Sequence, residues 1–424
     1  MTTHPGSCLN GIIHLPGDKS ISHRAVMLGA LAEGTTYVTN FLPSGDCLAT
    51  VGCMRGLGIT IEMCSSTSLC VHGGSLQAPL GPLDCVRSGT TMRLLTGVLA
   101  SQPFDSTLTG DDQLLRRPMR RIVDPLRRMG ADITDTDGKA PLCIHGQPLK
   151  GYFHQLAVAS AQVKSALLLA GLQADGTLTV MQPGPARDHT ERLLCAMGAN
   201  IGVDELTVIL QPPARLSALS IDVPGDISSA AFPLVAAALT TGSRITAKDV
   251  GLNQTRTGLL DVLQDMGLSV QLDNPRELAR EPVGDVTVQS SELRGTTISG
   301  DTVVRMIDEF PILAVAATQA HGVTIVHDAT ELHVKETDRI ATITAELQKL
   351  GARISATEDG FAVEGPTHLH GGSVDSHGDH RLAMALVVAG IIAEGDVVIH
   401  STDCIQDSFP GFIELMTGIG ARCD

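Results

Sequence analysis

Cationic and hydroxyl side chains gather where apolar helices are predicted to begin. The segment PGDKSISHR places Lys19, Ser20 and Arg24 between a predicted strand and an apolar helix. A glycine turn followed by hydroxyls and cations at a helix start offers backbone N–H groups and positive charge to an anion. The spacing of a GxxxxGK[ST] phosphate loop is absent. A capped helix with two solvated cations explains the same residues equally well, so both interpretations stay open here.

Two further segments repeat this combination. RSGTTMR sets Gly89 among hydroxyls at a predicted helix start, and Arg117 precedes Pro118, which we expect in the first turn of the next helix. Taken singly, helix caps and surface arginines explain these residues better than an anion site does. In ASAQVK, Ser160 is a natural cap, whereas capping alone does not explain Gln162.

Acidic residues accompany the cations in the C-terminal half. MIDEFP places Asp308 and Glu309 before an apolar helix, where carboxylates favour the helix dipole or, in a buried site, accept a proton. In ELHVKETDR, we expect Lys335, Glu336 and Arg339 to open an amphipathic helix with both cations on one face. Like charges repel there unless an anion or acid lies between them, which favours a ligand over a solvated helix face.

DSHGDHR opens another predicted helix. His377, Asp379 and His380 have metal-ligand chemistry, but no helix of the HExxH type accompanies them, and we predict no metal. His380 with Arg381 better fits a bound phosphate or carboxylate. Because helix starts in a symmetric repeat converge on one face, we predict an electropositive cleft between two domains that binds at least two anionic groups.

The elements that carry these motifs recur along the chain. Each repeat reads as a strand, an apolar helix, a strand, an amphipathic helix and a strand. The apolar helices should be buried, because they lack a polar face, with the sheets as walls around them. Each amphipathic helix ends in an apolar residue and a glycine that suits a left-handed helix terminus. There are six such marker glycines, at Gly58, Gly130, Gly198, Gly267, Gly351 and Gly420.

The repeats predict an α/β (α+β) protein of two domains with three repeats each, since 424 residues exceed one ordinary core. IIHLPGD at 12–18 and IDVPGD at 221–226 both read as a strand entering a Pro-Gly turn. We interpret them as two crossings between domains. The predicted N-terminal domain is therefore 14–225, and the C-terminal domain combines 1–13 with 226–424.

Composition excludes several classes of function. A net charge of −16 disfavours nucleic acid and anionic membrane as partners. The 10 cysteines form no CxxC pair, which is typical of reduced thiols in a cytosolic protein. No basic and apolar leader opens the chain, and the longest apolar run, Leu382 to Ala393, is short of the about 20 residues that span a bilayer. We expect a cytoplasmic location.

Taken together, PGDKSISHR, SGTTMR, SAQVK, IDEFPI, VKETDR and DHRLAMA, in this order, resemble the 5-enolpyruvylshikimate-3-phosphate synthases over nearly the whole chain. The resemblance implies two similar domains, each of three βαβαββ units in an inside-out α/β barrel. It also implies transfer of the enolpyruvyl group of phosphoenolpyruvate to the 5-hydroxyl of shikimate 3-phosphate, with release of phosphate, on the route to chorismate and aromatic amino acids. The family works as a monomer without metal or organic cofactor.

The resemblance also assigns roles by motif match. Asp308 would accept the proton of the attacking hydroxyl, and Glu336, with Lys19 or His380, would handle the proton at the methylene carbon. Phosphoenolpyruvate would contact Lys19, Gly89, Arg117, Gln162, Arg339 and Arg381. Shikimate 3-phosphate would contact Lys19, Ser20, Arg24, Ser160, Gln162, Arg187, Asp308 and Lys335.

Three positions depart from the family pattern. Arg87 stands where Asn is usual, Ala186 where Ser is usual, and Asp407 where the enteric branch has Lys. The loss of a hydroxyl at Ala186 removes one phosphate contact, which Arg187 could replace. These departures bear on binding strength and not on the type of reaction.

Two rival interpretations remain at this point. The related UDP-N-acetylglucosamine enolpyruvyl transferases carry a reactive Cys in a mobile loop and an Asn after their N-terminal Lys. Here Ser20 follows Lys19, and neither RSGTTMR nor RRPM contains a Cys. A noncatalytic anion-binding repeat protein is the second rival, but binding alone does not require proton-transfer groups such as Asp308, Glu336 and His380.

Overall fold

The computed structural model describes residues 1–6 and 8–424 of the chain. In the part up to residue 223, the strands are β1 (Thr2–His4), β2 (Asn10–His14), β3 (Thr35–Thr39), β4 (Thr60–Ser65), β5 (Ser68–His72), β6 (Leu83–Asp84), β7 (Asp105–Thr109), β8 (Asp132–Thr136), β9 (Lys139–His145), β10 (Phe153–Gln155), β11 (Leu178–Met181), β12 (Ile201–Asp204), β13 (Thr207–Leu210) and β14 (Ser220–Asp222). The strands after it are β15 (Arg244–Gly251), β16 (Val270–Leu278), β17 (Glu281–Gln289), β18 (Thr297–Ile298), β19 (Gly322–Val326), β20 (Arg353–Ala356), β21 (Phe361–Gly365), β22 (Gly372–Asp375), β23 (Val397–His400) and β24 (Arg422–Cys423).

The helices alternate with these strands. They are α1 (Lys19–Leu31), α2 (Gly45–Gly56), α3 (Gly89–Ala100), α4 (Asp112–Leu115), α5 (Arg120–Arg128), α6 (Ala161–Gly171), α7 (His189–Ala196), α8 (Ile227–Leu239), α9 (Gly258–Asp265), α10 (Asp301–Arg305), α11 (Phe310–Thr318), α12 (Arg339–Lys349), α13 (His380–Ile392) and α14 (Phe412–Gly418). Two 3-10 helices cover Thr330–Val334 and Thr402–Asp407.

The sheets show the repeat directly. The described residues form six sheets of four strands each. In the second repeat, strand β6 pairs in parallel with β7, β7 pairs antiparallel with β9, and β9 pairs antiparallel with β8. Helix α3 connects the parallel pair, and α5 leads into the final hairpin, so the repeat is a βαβαββ unit. The third repeat has the same order, β10-β11-β13-β12.

Three of the sheets include a strand from a distant part of the chain. The sheet that holds β15, β16 and β17 takes β2, which pairs in parallel with β15. The sheet that holds β3, β4 and β5 takes β14 as its outer parallel strand. The sheet that holds β22, β23 and β24 inserts β1 between β23 and β24. The first, fourth and last repeats are therefore completed by segments that local sequence pattern does not connect to them.

The marker glycines end the amphipathic helices as predicted. Helices α2, α5, α7, α9, α12 and α14 are each followed by an apolar cap residue and then by a marker glycine. All six glycines have positive φ angles, between 85° and 111°. A side chain at such a position would crowd the following carbonyl oxygen, which explains why glycine recurs there.

The apolar helices begin at polar caps and are then buried. Asp18, Ser88, Ser160, Asp226 and Asp379 each accept a backbone N–H from the first turn of α1, α3, α6, α8 and α13, respectively. Helix α11 instead has a proline in its first turn. From there almost every side chain of these helices is buried. The sequence therefore places polar groups at helix starts and a hydrophobic core beyond them.

The chain forms two compact units. Unit 1 comprises 1–16, 224–277 and 282–424, and unit 2 comprises 17–223 with 278–281. Each has its own hydrophobic core, built mainly from Leu, Val, Ile and Ala side chains. The division into separately folding domains at 13/14 and 225/226 stays a prediction. No helix among the described residues is both long and apolar enough to cross a membrane.

Candidate active site

In unit 2, Arg24 is a buried cation surrounded by neutral acceptors. Its guanidinium donates to the hydroxyls of Thr190 and Ser165, both at 2.7 Å, and to the backbone carbonyl of Ser20 at 2.9 Å. Burial is the largest influence and lowers the pKa of Arg24 to about 10; the charge of Arg187 acts in the same direction, and the charges of Glu191, Asp18 and Glu281 oppose the shift. In these surroundings the guanidinium of Arg24 can still attract a phosphate.

Lys19 is the first residue of α1 and lies close to the start of α2. Its ammonium is 3.2 Å from the carboxylate of Asp46, in the first turn of α2. Both side chains are half-buried, with 17% and 16% of their surface exposed. Lys19 and Ser20 are thus accessible at the helix start where the sequence predicts an anion site.

Three residues at the start of α3 and α6 form a connected polar group. Arg93 donates to the side-chain oxygen of Gln162 at 2.7 Å, and the amide of Gln162 donates to Thr90 at 3.2 Å. A Cβ atom added at Gly89 would lie 2.9 Å from a guanidinium nitrogen of Arg93 and 2.9 Å from one of Arg117. Gly89 therefore leaves room for two guanidinium groups at one helix start.

The third helix start of unit 2 contains an internal ion pair. Lys164 lies 2.6 Å from the carboxylate of Glu191 and donates to the backbone carbonyl of Ala186 at 3.2 Å. Lys164 and Glu191 are both almost fully buried. Ser160 is half-buried and serves as the cap of α6. Arg187 is half-buried beside Ala186, in the segment that leads into α7.

In unit 1, Arg339 is surrounded by carboxylates. Its guanidinium lies 2.8 Å from Asp379, 2.7 Å from Glu336 and 3.5 Å from Asp308. Burial acts to lower the pKa of Arg339, but the charges of Asp379, Glu336 and Asp308 outweigh it and raise the pKa above its usual value. Asp379 is fully buried; burial acts to raise the pKa of its carboxyl, but Arg339 outweighs that effect and holds it below the ordinary value.

Asp308 lies between two arginines. One of its carboxylate oxygens is 3.5 Å from Arg339, and the other is 3.5 Å from Arg381. Arg381 also lies 3.7 Å from the buried carboxylate of Glu309, which accepts a short hydrogen bond from the hydroxyl of Ser228. Asp308 remains partly exposed, at 17% of its side-chain surface, and is therefore open to a substrate hydroxyl.

Lys335 differs from the prediction in its local structure. It follows the 3-10 helix Thr330–Val334, and α12 begins only at Arg339, after the cap Asp338. The predicted shared helix face of Lys335 and Arg339 is therefore wrong. The two cations are nevertheless neighbours, with Asp308 as the acid near both. Burial lowers the pKa of Lys335 to about 8, although Asp308 and Glu331 oppose this shift.

Three further positions correct or complete the predicted site. Pro118 does not lie in the first turn of a helix, because α5 begins at Arg120 after the cap Met119. Arg87 is half exposed, and its guanidinium forms an ion pair with the carboxylate of Asp111 at 2.9 Å. His380 is the first residue of α13 and is buried, together with Arg381.

The contacts of Arg93 and Asp379 were not predicted from the sequence. Arg93 ends the quoted segment RSGTTMR, and its contact with Gln162 shows only when α3 and α6 are brought together. Asp379 was considered only as a metal ligand, whereas it caps α13 and holds Arg339. His377 pairs with Glu346 at 2.8 Å. In the segment DHR, an acid stands at a helix start near a cation, and this pattern could have indicated that Asp379 caps α13.

Comparison with known proteins decides the family. The family model of EPSP synthase (3-phosphoshikimate 1-carboxyvinyltransferase) matches residues 3–416. The chain belongs to the EPSP synthase family. Among curated relatives named 3-phosphoshikimate 1-carboxyvinyltransferase, that of Geobacillus kaustophilus is 52% identical over 413 residues, 96% of each chain. That of Bacillus subtilis is 51% identical over 423 residues, 98% of each chain.

The EPSP synthase fold is confirmed by a solved structure. An EPSP synthase from Acinetobacter baumannii superposes with a TM-score of 0.89 at 43% sequence identity, and the match covers 99% of this chain and 98% of the other. The predicted architecture of two similar domains, each with three βαβαββ units in an inside-out α/β barrel, is thereby confirmed. The chain is accordingly an enzyme of a transferase family, and the resemblance seen in its motifs was correct.

Proposed function

We propose that this chain transfers the 1-carboxyvinyl group of phosphoenolpyruvate to the 5-hydroxyl of shikimate 3-phosphate and releases inorganic phosphate. Its membership of the EPSP synthase family supports this reaction. The observation that carries the residue assignment is the position of Asp308, 3.5 Å from both Arg339 and Arg381 and near Lys335. A carboxylate among three cations, still partly exposed, suits a base that acts beside anionic substrates.

The first half of the reaction is an addition. The 5-hydroxyl oxygen attacks C2 of phosphoenolpyruvate, and Asp308 takes the hydroxyl proton. The C2–C3 double bond gains a proton at C3, which becomes a methyl group, and a tetrahedral intermediate results. Glu336, with Lys19 or His380, is assigned to this proton at carbon. Positioned groups of this kind typically contribute about 10²- to 10⁴-fold to a rate.

The second half is an elimination. The methyl group of the intermediate loses a proton, the double bond to C2 forms again, and the C2–O bond to phosphate breaks. Guanidinium groups stabilise the negative charge that develops on the departing phosphate. We assign this task to the guanidinium groups of Arg117, Arg339 and Arg381. The other residues assigned to phosphoenolpyruvate are Lys19, Gly89 and Gln162.

Binding of shikimate 3-phosphate is assigned to polar residues that include Arg24. Its guanidinium donates to the hydroxyls of Thr190 and Ser165, and Arg187 is close enough to affect its pKa. The full proposed set is Lys19, Ser20, Arg24, Ser160, Gln162, Arg187, Asp308 and Lys335. The backbone carbonyl of Ala186 already accepts from Lys164, so Arg187 is the more suitable phosphate ligand in this segment.

We also propose that the enzyme works as a cytoplasmic monomer that binds no nucleic acid. Its net charge of −16 supports the last point, since like charges repel at long range. Residues 14–225, and residues 1–13 with 226–424, are proposed as the two domains. Size-exclusion chromatography with light scattering tests the monomer, and a dimer at micromolar concentration would contradict it.

Phosphate release tests the reaction. Phosphoenolpyruvate is supplied with either shikimate 3-phosphate or UDP-N-acetylglucosamine, to wild-type protein, to Asp308→Asn and to the control Asp301→Asn at an exposed helix start. We expect release only with shikimate 3-phosphate, a loss of at least about 10²-fold in Asp308→Asn and no loss in the control. Release with the nucleotide sugar would contradict the proposed acceptor, and full activity of Asp308→Asn would contradict the proposed base.

A further inference from the structure

Two cysteines meet on the hairpin formed by β4 and β5. The strands pair Glu62 with Cys70 and Met63 with Leu69, and the register then shifts so that Ser65 pairs with Ser68. Cys64 is the extra residue at this shift. A bulge of this kind changes the direction of a side chain without breaking the hairpin.

The two sulfur atoms are close enough to react. The Sγ atoms of Cys64 and Cys70 lie 2.8 Å apart. A disulfide bond is about 2.05 Å long, so an approach of about 0.8 Å would join them. The hairpin already holds the two strands side by side, and no long loop has to close before the bond forms.

The pair is accessible and faces away from the core. Cys64 is exposed, and Cys70 is half-buried. On β5, the neighbours Leu69 and Val71 point into the core of unit 2, so Cys70 lies on the opposite face of the strand. By contrast, Cys47, Cys53, Cys85 and Cys404 are buried.

The two thiols are not equivalent. The hydrogen bond to Cys64 raises the pKa of the Cys70 thiol to about 11, and partial burial and the charge of Glu62 act in the same direction. Cys70 therefore keeps its proton at neutral pH. Cys64 is the more exposed of the two thiols, so it is the group that meets an oxidant first.

We propose that Cys64 and Cys70 form a reversible thiol–disulfide site that is oxidised by small hydroperoxides. The Cys64 sulfur attacks one oxygen of the peroxide, the O–O bond breaks, and a sulfenic acid and one molecule of water or alcohol result. The Cys70 sulfur then attacks the sulfenic sulfur, the S–O bond breaks, and a second molecule of water leaves with the Cys70 proton. Two thiols are oxidised and one peroxide is reduced; a dithiol reductant reverses the change.

The thiol–disulfide site lies apart from the residues assigned to the transferase reaction and is independent of that reaction. None of the residues assigned to substrate or proton transfer belongs to β4 or β5. In an enzyme of reducing surroundings, disulfides are usually transient and respond to oxidants, and this pair has the exposure that such a role needs.

Mass spectrometry of peroxide-treated protein tests the proposal. Folded protein is treated with one equivalent of hydrogen peroxide, alkylated, and digested without reduction. We expect a peptide with Cys64 linked to Cys70, two hydrogens lighter than the reduced form, that dithiothreitol converts back. In Cys70→Ser, we expect the sulfenic acid of Cys64 to persist and to be trapped by dimedone.

Two internal controls make the result specific. Cys143, a half-buried cysteine on β9 of the neighbouring repeat, has no cysteine opposite it, and Cys143→Ser should leave the linked peptide unchanged. Cys53 and Cys85 interact in the core and should stay reduced in folded protein. Full alkylation of both Cys64 and Cys70 after peroxide treatment, or a link that appears only after unfolding, would overturn the proposal.

Discussion

Arg24 and Arg339 are both buried arginines near helix starts, but their surroundings differ. Arg24, in unit 2, donates to hydroxyls of Ser165 and Thr190, and burial lowers its pKa to about 10. Arg339, in unit 1, pairs with Asp379 and two other carboxylates, which raise its pKa against the effect of burial. The hydrogen-bond partners of Arg24 are neutral groups, whereas Arg339 forms ion pairs with carboxylates.

We expect this difference to correspond to two tasks in the proposed reaction. Arg24 donates to hydroxyls and a carbonyl, while Glu191, Asp18 and Glu281 act on it through their charges. Its guanidinium can therefore still gain charge-assisted hydrogen bonds from an incoming anion. A cation among carboxylates holds those acids in position, and Asp308 and Glu336 are the acids that the proposed chemistry uses for proton transfer. Substitution of Arg24 should therefore weaken substrate binding. Substitutions in the group around Arg339 should instead lower the stability or the turnover of the enzyme.

The largest effect is expected from Asp379→Asn. This change removes the fully buried carboxylate that pairs with Arg339, and breaking a buried ion pair typically costs about 3–5 kcal/mol of the free energy of unfolding. Urea denaturation at pH 7 measures the loss. The control Glu394→Gln, which removes an exposed partner of His368, should leave the denaturation midpoint unchanged.

The acid dependence of Asp379→Asn gives a second reading of the same pair. The folded protein lowers the pKa of Asp379, so its contribution to stability is complete above the unfolded value of about 3.9 and declines as the pH falls through the folded pKa. The difference in stability between wild type and variant should therefore shrink in acid. A difference that stays constant down to pH 2 would show that charge is not its cause.

A smaller effect, on binding, is expected from Arg24→Gln. Hydrogen bonds to charged groups contribute about 1.5–3 kcal/mol each, which corresponds to a rise of about 10- to 100-fold in KM for shikimate 3-phosphate. We expect the KM for phosphoenolpyruvate to change far less. Steady-state kinetics test this, with Arg215→Gln, a mostly exposed arginine, as control. A loss confined to kcat would contradict the contrast between the two arginines.

Lys335 provides a pH-dependent test. Its pKa of about 8 lies below that of an ordinary lysine, so the free enzyme loses this positive charge as the pH rises through 8. The value of kcat/KM for shikimate 3-phosphate should then fall by up to about tenfold for each pH unit above 8. Lys335→Arg keeps its charge and should flatten the profile to about pH 9.5, whereas the exposed control Lys349→Arg should retain the wild-type profile.

The smallest effect is expected from Gly89→Ala. The added methyl group would meet the flexible ends of Arg93 and Arg117, which can shift without disturbing the backbone. We expect the free energy of unfolding to change little and the KM for phosphoenolpyruvate to rise by roughly three- to tenfold, as one charged contact weakens. Gly52→Ala, in open space on α2, serves as the matched control. Equal KM values in Gly89→Ala and wild type would remove Gly89 from the site.

Local patterns predicted the fold to the level of the repeat. Polar caps, apolar helices and marker glycines are all encoded in short segments, so their number and order could be read from the sequence. The insertion of β1 between β23 and β24 is different, because it depends on pairing between opposite ends of the chain. The register of each hairpin, including the shift at Cys64, also depends on side-chain packing that a single strand does not reveal.

The positions of Lys19 and Arg24 in the first turns of α1 were predictable from the sequence, whereas their roles in substrate binding stay a prediction. A contact was not predictable where it depends on a neighbouring repeat, as with Arg93 at Gln162. The helix assumed across Lys335 and Arg339 failed because Asp338 caps α12 and accepts the N–H of Ala341. An Asp directly before Arg339 is typical of a helix cap. The interpretation based on the charges of Lys335, Glu336 and Arg339 did not take this cap into account.

The position of β1 has a consequence for how the protein is made on the ribosome. Strand β1 is synthesised nearly 400 residues before its neighbours β23 and β24. At about 5–20 residues per second, the segment before α1 must wait for tens of seconds, while the continuous stretch 17–223 is already free to fold. The last sheet can close only after β24 has been synthesised, so β1 stays unpaired while the segments between β1 and β23 are made.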